Sequence, residues 1–266
     1  MSRRSAPWAA VVLGAGLAVA AGLQPGAAFA TGDSTSWVAY GPPQPGSTVQ
    51  VVQGTADGQG GCVLDLAAAL SPSETAARAD EVAFNETTCQ SRVAITRGGA
   101  VAPDPPDPSG ASSSSSGPVA PASSTAPPPR PAAPSVTSAG YYKSWYEDPV
   151  GIVVNSVMDS TKWRWNRVCA TGIYGSWRYT WHSSTGWSLG ANNAQNYYTC
   201  NRTTVSSYAH FHNRPFCAFI ATDTYYNRNN VHGRYDGYLL GDVNARKTGP
   251  CSHLLSFHAS LRRTQN

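Results

Sequence analysis

The chain has 266 residues, a formal net charge of +4, six cysteines and six histidines. Beyond its first thirty residues no apolar run reaches the length of a membrane span, which argues against any further membrane-spanning helix. No CxxC spacing occurs, which argues against both a zinc ribbon and a thioredoxin-like redox site.

Taken in chain order, residues 1–30 read as a signal peptide. Arg3 and Arg4 give a positive start, the apolar run Trp8 to Leu23 follows, and Ala28-Phe29-Ala30 offers the small residues a signal peptidase accepts. The expected product is secreted and extracellular, with no membrane span after cleavage. Export makes the cysteines legible as structural disulfides. Two (Cys62, Cys89) and four (Cys169, Cys200, Cys217, Cys251) flank a central segment, so Cys62–Cys89 is expected. The other four pair most simply as Cys169–Cys200 and Cys217–Cys251, although their spacing leaves three pairings open.

Residues 31–100 form a small N-terminal module, α+β or mostly β. Val49–Val52 and Cys62–Leu66 look like strands, separated by the turn residues Gly58, Gly60 and Gly61. Ser73 to Ala79 has the residue order of a helix start, whereas Glu81–Phe84 and Arg92–Thr96 fit strand or helix. This module carries seven acidic and three basic residues.

Residues 101–138 include eleven prolines, ten serines and seven alanines among 38 residues. Such a composition reads as an extended, solvated, disordered linker.

Residues 139–266 read as an aromatic-rich β-domain. Period-two patterning recurs in four runs, at Trp163/Trp165, at Trp177/Tyr179/Trp181, at Val205/Ser207/Ala209/Phe211 and at Leu255/Phe257/Ala259/Leu261. Further strands are expected at Gly151–Val157, Tyr197–Cys200, Phe216–Ala221 and Gly237–Val243. The whole predicts a mainly β fold, a disulfide-stapled antiparallel β-sandwich or barrel. This segment has thirteen basic and six acidic residues, a solvated basic surface that also suits an anionic partner.

Six Trp, twelve Tyr and four Phe fall in this domain, more rings than a small core can take. The strand tryptophans read as core. Tyr208, Trp187, Tyr197, Tyr225, Tyr226 and Tyr235 are the candidate binding aromatics, able to stack on sugars or other flat ligands. Gly186-Trp187-Ser188-Leu189-Gly190 matches a nucleophile elbow in spelling, but the polar, turn-like run Ala191–Asn196 replaces the helix that motif needs, so a hairpin turn is expected. All six histidines lie here, and His210 and His212 share one strand face. That spacing fits a satisfied or solvent-facing pair, two ligands of one metal ion, or an acid–base pair of a secreted ribonuclease-like hydrolase. No third metal ligand stands out, so no metal or cofactor is implied.

The alanine-rich leader, sixteen arginines against three lysines and the Pro/Ser/Ala linker are in keeping with a high-GC actinomycete. Tyr141-Tyr142-Lys143-Ser144-Trp145-Tyr146-Glu147-Asp148-Pro149 and Leu254-Leu255-Ser256-Phe257-His258 resemble segments of uncharacterised secreted proteins of actinomycete bacteria. The resemblance implies secretion and the second domain, and it carries over no catalytic residue. The leading functional expectation is a non-enzymatic binding module for an extracellular polymer, carbohydrate or cell wall. A secreted hydrolase of an anionic polymer through His210 or His212 is the alternative, and an inhibitor, toxin or interaction protein is the third.

Overall fold

A computed structural model describes residues 37–58, 61–66, 70, 76–108, 110–121 and 134–264. The leader expected at residues 1–30 and the proline-rich stretch 122–133 lie outside the described residues. Sixteen strands form in chain order among the described residues. The first eight are β1 (Trp37–Ala39), β2 (Thr48–Gln53), β3 (Thr55–Ala56), β4 (Cys62–Asp65), β5 (Ala76–Asn85), β6 (Gln90–Arg97), β7 (Ala111–Gly117) and β8 (Ala120–Pro121). The longer second set is β9 (Val136–Glu147), β10 (Val153–Trp165), β11 (Ala170–Trp181), β12 (Trp187–Tyr198), β13 (Arg202–Cys217), β14 (Ile220–Arg234), β15 (Leu239–Thr248) and β16 (Ser256–Thr264).

These strands make a sandwich of two sheets. The first runs β2-β6-β5-β16-β9-β10-β11-β7 with β1 beside β5, and the second runs β3-β4-β15-β14-β13-β12-β8. Every pairing is antiparallel except the short β8 with β12. The period-two runs explain the layering. On β13, Val205, Ser207, Ala209 and Phe211 turn inward and are buried, while Ser206, Tyr208, His210 and His212 face out. Trp163 and Tyr179 are fully buried, and Trp165, Trp177 and Trp181 pack half-buried against the same core. The three disulfides join Cys62 to Cys89, Cys169 to Cys200 and Cys217 to Cys251.

Buried polar groups tie the two sheets across this core. Asp159 of β10 accepts hydrogen bonds from the Ser207 hydroxyl at 2.8 Å and from Asn229 Nδ2 at 2.9 Å, both on the facing sheet. Asn155 Nδ2 donates to Thr224 Oγ1 at 3.0 Å, and Tyr226 donates to Asn155 Oδ1 at 2.8 Å. Burial pushes the Asp159 carboxyl up to about 7, more than the Asn229 and Ser207 hydrogen bonds can offset.

The structure corrects three expectations. The helix anticipated through Ala79 is strand β5 from Ala76 onward, and Glu81–Phe84 and Arg92–Thr96 are strand as well. β5 is enclosed between β6 and β16 and nearly all of it is buried, so pairing on both edges overrides the helical preference of its alanines. The glycine–serine motif is no hairpin turn either. Gly186 closes a short 3-10 turn at φ 90°, and β12 starts at Trp187 and runs on to Tyr198.

The third difference concerns the linker, whose described residues are ordered into the fold. Residues 101–108 lie across the outer face of the first sheet. Asp104 pairs with Arg262 at 3.0 Å and accepts from the Tyr141 hydroxyl at 2.9 Å. Asp107 bridges Lys143 at 2.7 Å and Arg178 at 2.8 Å. The serine run then becomes β7, the edge strand beside β11. Val119 is buried, and a side chain at Gly172 would meet it at 2.6 Å. Consequently residues 37–97 are not a separate layer: β5 pairs with β16 and β4 pairs with β15, so both sheets draw on both sides of the linker. Proline and serine composition misleads here because the one-sided ladder of β7 on β11 and a set of ion pairs supply the ordering energy that the side chains lack.

Candidate functional site

The outer face of the second sheet gathers four of the residues nominated from sequence. Tyr208, His210 and His212 alternate along β13, and Tyr225 stands opposite His210 on β14. Their arrangement is a cross-strand stack. The His210 and Tyr225 rings lie parallel within 2° at 4.2 Å, and the Arg246 guanidinium covers Tyr225 at 4.2 Å. Both faces of Tyr225 are therefore occupied, so the stack presents ring edges and not a flat platform. Burial, together with the Asp223 charge, raises the Tyr225 hydroxyl above its ordinary range.

The two histidines are committed to different partners. His210 Nε2 lies 2.7 Å from Asp223 Oδ1, whereas His212 Nε2 lies 3.0 Å from Ser188 Oγ. The hydroxyl and the carboxylate thus sit on separate rings, and no single imidazole links them. Among the described residues no group of three His, Cys, Asp or Glu side chains is placed to hold a metal ion.

The remaining nominated aromatics scatter. Trp187 and Tyr226 are buried at 2% and 0% exposure, so neither can stack on a ligand, which corrects their assignment as binding residues. Period two predicts this for Trp187, which starts a strand on its inward phase. Tyr226 turns inward as the next residue after outward-facing Tyr225. Tyr235 packs half-buried on the core, and Tyr197 lies on β12 opposite Ala120 of the edge strand β8.

A different concavity opens on the outer face of the first sheet. It is a groove of about 430 Å3 lined by Ser112, Ser114, Ser115 and Ser116 of β7, Tyr174, Ser176, Trp177 and Arg178 of β11, and Met158 of β10. Register builds it: Ser114 pairs with Arg178 and Ser116 with Ser176, so alternate serines share one face with the β11 residues. Ser112 to Ser116 are exposed, and Tyr174 is 43% exposed. Asp107 neutralises Arg178 at the groove's inner margin. The chemistry is hydroxyl-rich, with donors and acceptors in a fixed row and one accessible aromatic ring. Sequence reasoning missed this site because the serine run read as linker. The available signal was its position, a run with strand-like length adjoining an aromatic, alternating segment.

No helix among the described residues is long and apolar enough to cross a membrane, and three disulfides fit an oxidising compartment. No family model matches this chain, and comparison with curated proteins and with solved structures finds no match either.

Proposed function

We propose that this is an exported binding protein for an extracellular polysaccharide, with the sugar chain lying in the serine groove of β7 and β11. The observation that carries the reading is the row of strand-held serine hydroxyls beside exposed Tyr174. A polyhydroxylated chain needs many weak, directional partners and a ring to stack on, and the groove supplies both. Holding the serines on a strand reduces the side-chain ordering that binding would otherwise cost. An open groove at a sheet edge also suits a polymer that extends beyond the contact.

Retention of the exported chain on insoluble polysaccharides, with cellulose, chitin and peptidoglycan as the matrices, tests the reading. Tyr174→Ala should weaken retention about tenfold, as expected for loss of one ring contact. The double change Ser114→Ala with Ser116→Ala should weaken it further. Retention that survives all three changes, or none on any matrix, refutes the assignment.

A further inference from the structure

A second constellation occupies the same outer sheet face, toward its other end. One cross-strand row runs Asp80, His258, Trp145, Ser156, Thr180 and Ser112 through β5, β16, β9, β10, β11 and β7. Its last member lines the serine groove, and its first two line a cavity of about 440 Å3 with Ser256, Glu147, Asp148 and Tyr40.

Within that cavity wall, His258 Nδ1 lies 2.7 Å from Asp80 Oδ1, and its Nε2 lies 2.9 Å from Ser256 Oγ. Asp80 accepts a second bond from Arg78 Nε at 2.7 Å, which fixes the carboxylate. The Trp145 indole stacks on the imidazole at 5.4 Å and 14°, so the ring cannot turn freely. Burial would raise the Asp80 carboxyl, but His258 and Arg78 outweigh it and hold the group below its ordinary range, and so ionised. An ionised carboxylate only accepts, so Nδ1 carries the ring proton. In the neutral imidazole Nε2 is then the acceptor and Ser256 donates to it. The order serine, imidazole, carboxylate is therefore complete on one ring, which is the arrangement His210 and His212 lack. A histidine serving only to satisfy a buried carboxylate would have no need of a hydroxyl on its far nitrogen at a cavity wall.

We infer that Ser256, His258 and Asp80 form a catalytic relay that hydrolyses short, uncharged acyl esters in this cavity. Ser256 Oγ attacks the ester carbonyl carbon, its proton passes to His258 Nε2, and the carbonyl electron pair moves onto oxygen. Collapse of that adduct breaks the bond to the alcohol oxygen, which leaves with the proton from Nε2. Water then attacks the acyl–Ser256 carbonyl with Nε2 again taking the proton, and collapse releases the carboxylic acid and restores the hydroxyl. Asp80 stays ionised throughout and steadies the imidazolium, as does Glu147, whose Oε2 lies 3.6 Å from Nε2. The cavity size limits the acyl group, and Glu147 and Asp148 disfavour an anionic one.

The full exported chain should take up one fluorophosphonate group, mapped to the peptide containing Ser256, and should hydrolyse p-nitrophenyl acetate. Ser256→Ala should abolish labelling and lower kcat/KM by at least about 100-fold, and His258→Gln should do the same at an unchanged unfolding midpoint. Should His258→Gln fail to fold, labelling of the wild type against Ser256→Ala decides alone. A folded chain that takes no label, or hydrolysis that persists in Ser256→Ala, overturns the inference. Polysaccharide retention is read separately, through Tyr174, so either result stands without the other.

Discussion

Lys247 and Glu81 form an ion pair 2.9 Å long that is closed to solvent on both sides, with side-chain exposures of 2% and 0%. Lys247 also donates to the Tyr40 hydroxyl at 2.9 Å and to the Leu255 carbonyl at 2.7 Å, so all three ammonium protons are used. Glu81 in turn accepts from Ser91 Oγ and from the Phe257 amide. Burial lowers the Lys247 pKa, and the Glu81 charge works against that. The pair joins β5 of one sheet to β15 of the other, and an acidic stretch of sequence to a basic one.

Removing one partner leaves the other charge buried and unpaired. Lys247→Met should therefore cost about 3–5 kcal/mol of unfolding free energy, read by urea titration. Replacing both, Lys247→Met with Glu81→Leu, should recover part of that loss. An equal or greater loss in the double variant would mean the pair is net stabilising beyond its mutual compensation.

The shared sheets also make a prediction about fragments. Residues 139–266 contain β10 to β16 and most of β9, but without β5 and β4 the edges of β16 and β15 are unpaired. Expressed alone, that fragment should aggregate or lack a cooperative thermal transition. A monomeric fragment that melts in one sharp step would show that residues 37–97 merely lean on a self-sufficient domain.

Half of the architecture was legible before the structure. Alternation at Val205–Phe211 and Leu255–Leu261 locates inward-facing residues because a pleat has a period of two whatever the topology. Even cysteine counts on either side of residues 101–138 made the Cys62–Cys89 bond readable. What composition could not convey is long-range pairing: Ala76–Ala79 looks helical until two neighbouring strands enclose it. Ser112–Ser116 looks solvated until β11 offers it a ladder. The relay was hidden for the same reason. Ser256 and His258 are near in sequence, but Asp80 meets them only through the register of β5 on β16. The segments Tyr141–Pro149 and Leu254–His258 both end at that cavity, although nothing in their spelling joins them.

Asp159 makes stability fall with rising pH. Its carboxyl titrates near about 7 in the folded protein against an ordinary 3.8, so the native state holds the proton that the unfolded chain has released. The favourable contribution is complete below about pH 4 and is lost as pH rises through about 7, at up to about 1.4 kcal/mol per pH unit. Asp80 and Asp242, both held below the ordinary range against the opposing effect of burial by their histidine and arginine partners, act in the opposite sense and only at more acidic pH. Asp159→Asn should flatten the decline in thermal midpoint between pH 4.5 and 8. A decline of the same slope in that variant would assign the effect to another group.

The strap formed by residues 101–108 offers the last test, since its hold on the sheet is ionic at two points. Asp107 stands between Lys143, whose side chain is only 5% exposed, and Arg178, whose side chain is 45% exposed. Loss of the Lys143 interaction matters more, because a nearly buried ammonium then keeps only the Pro105 carbonyl as a polar partner. Asp107→Ala should thus cost about 1–2 kcal/mol, while Arg178→Ala should cost less than about 1 kcal/mol. Asp104→Ala removes the second anchor, at Arg262 and Tyr141. The double aspartate variant should release the strap before the sandwich unfolds, so limited proteolysis should cut between Ala100 and Gly110 faster than in the wild type. Cleavage at an unchanged rate would mean that the β7 ladder alone keeps the segment in place.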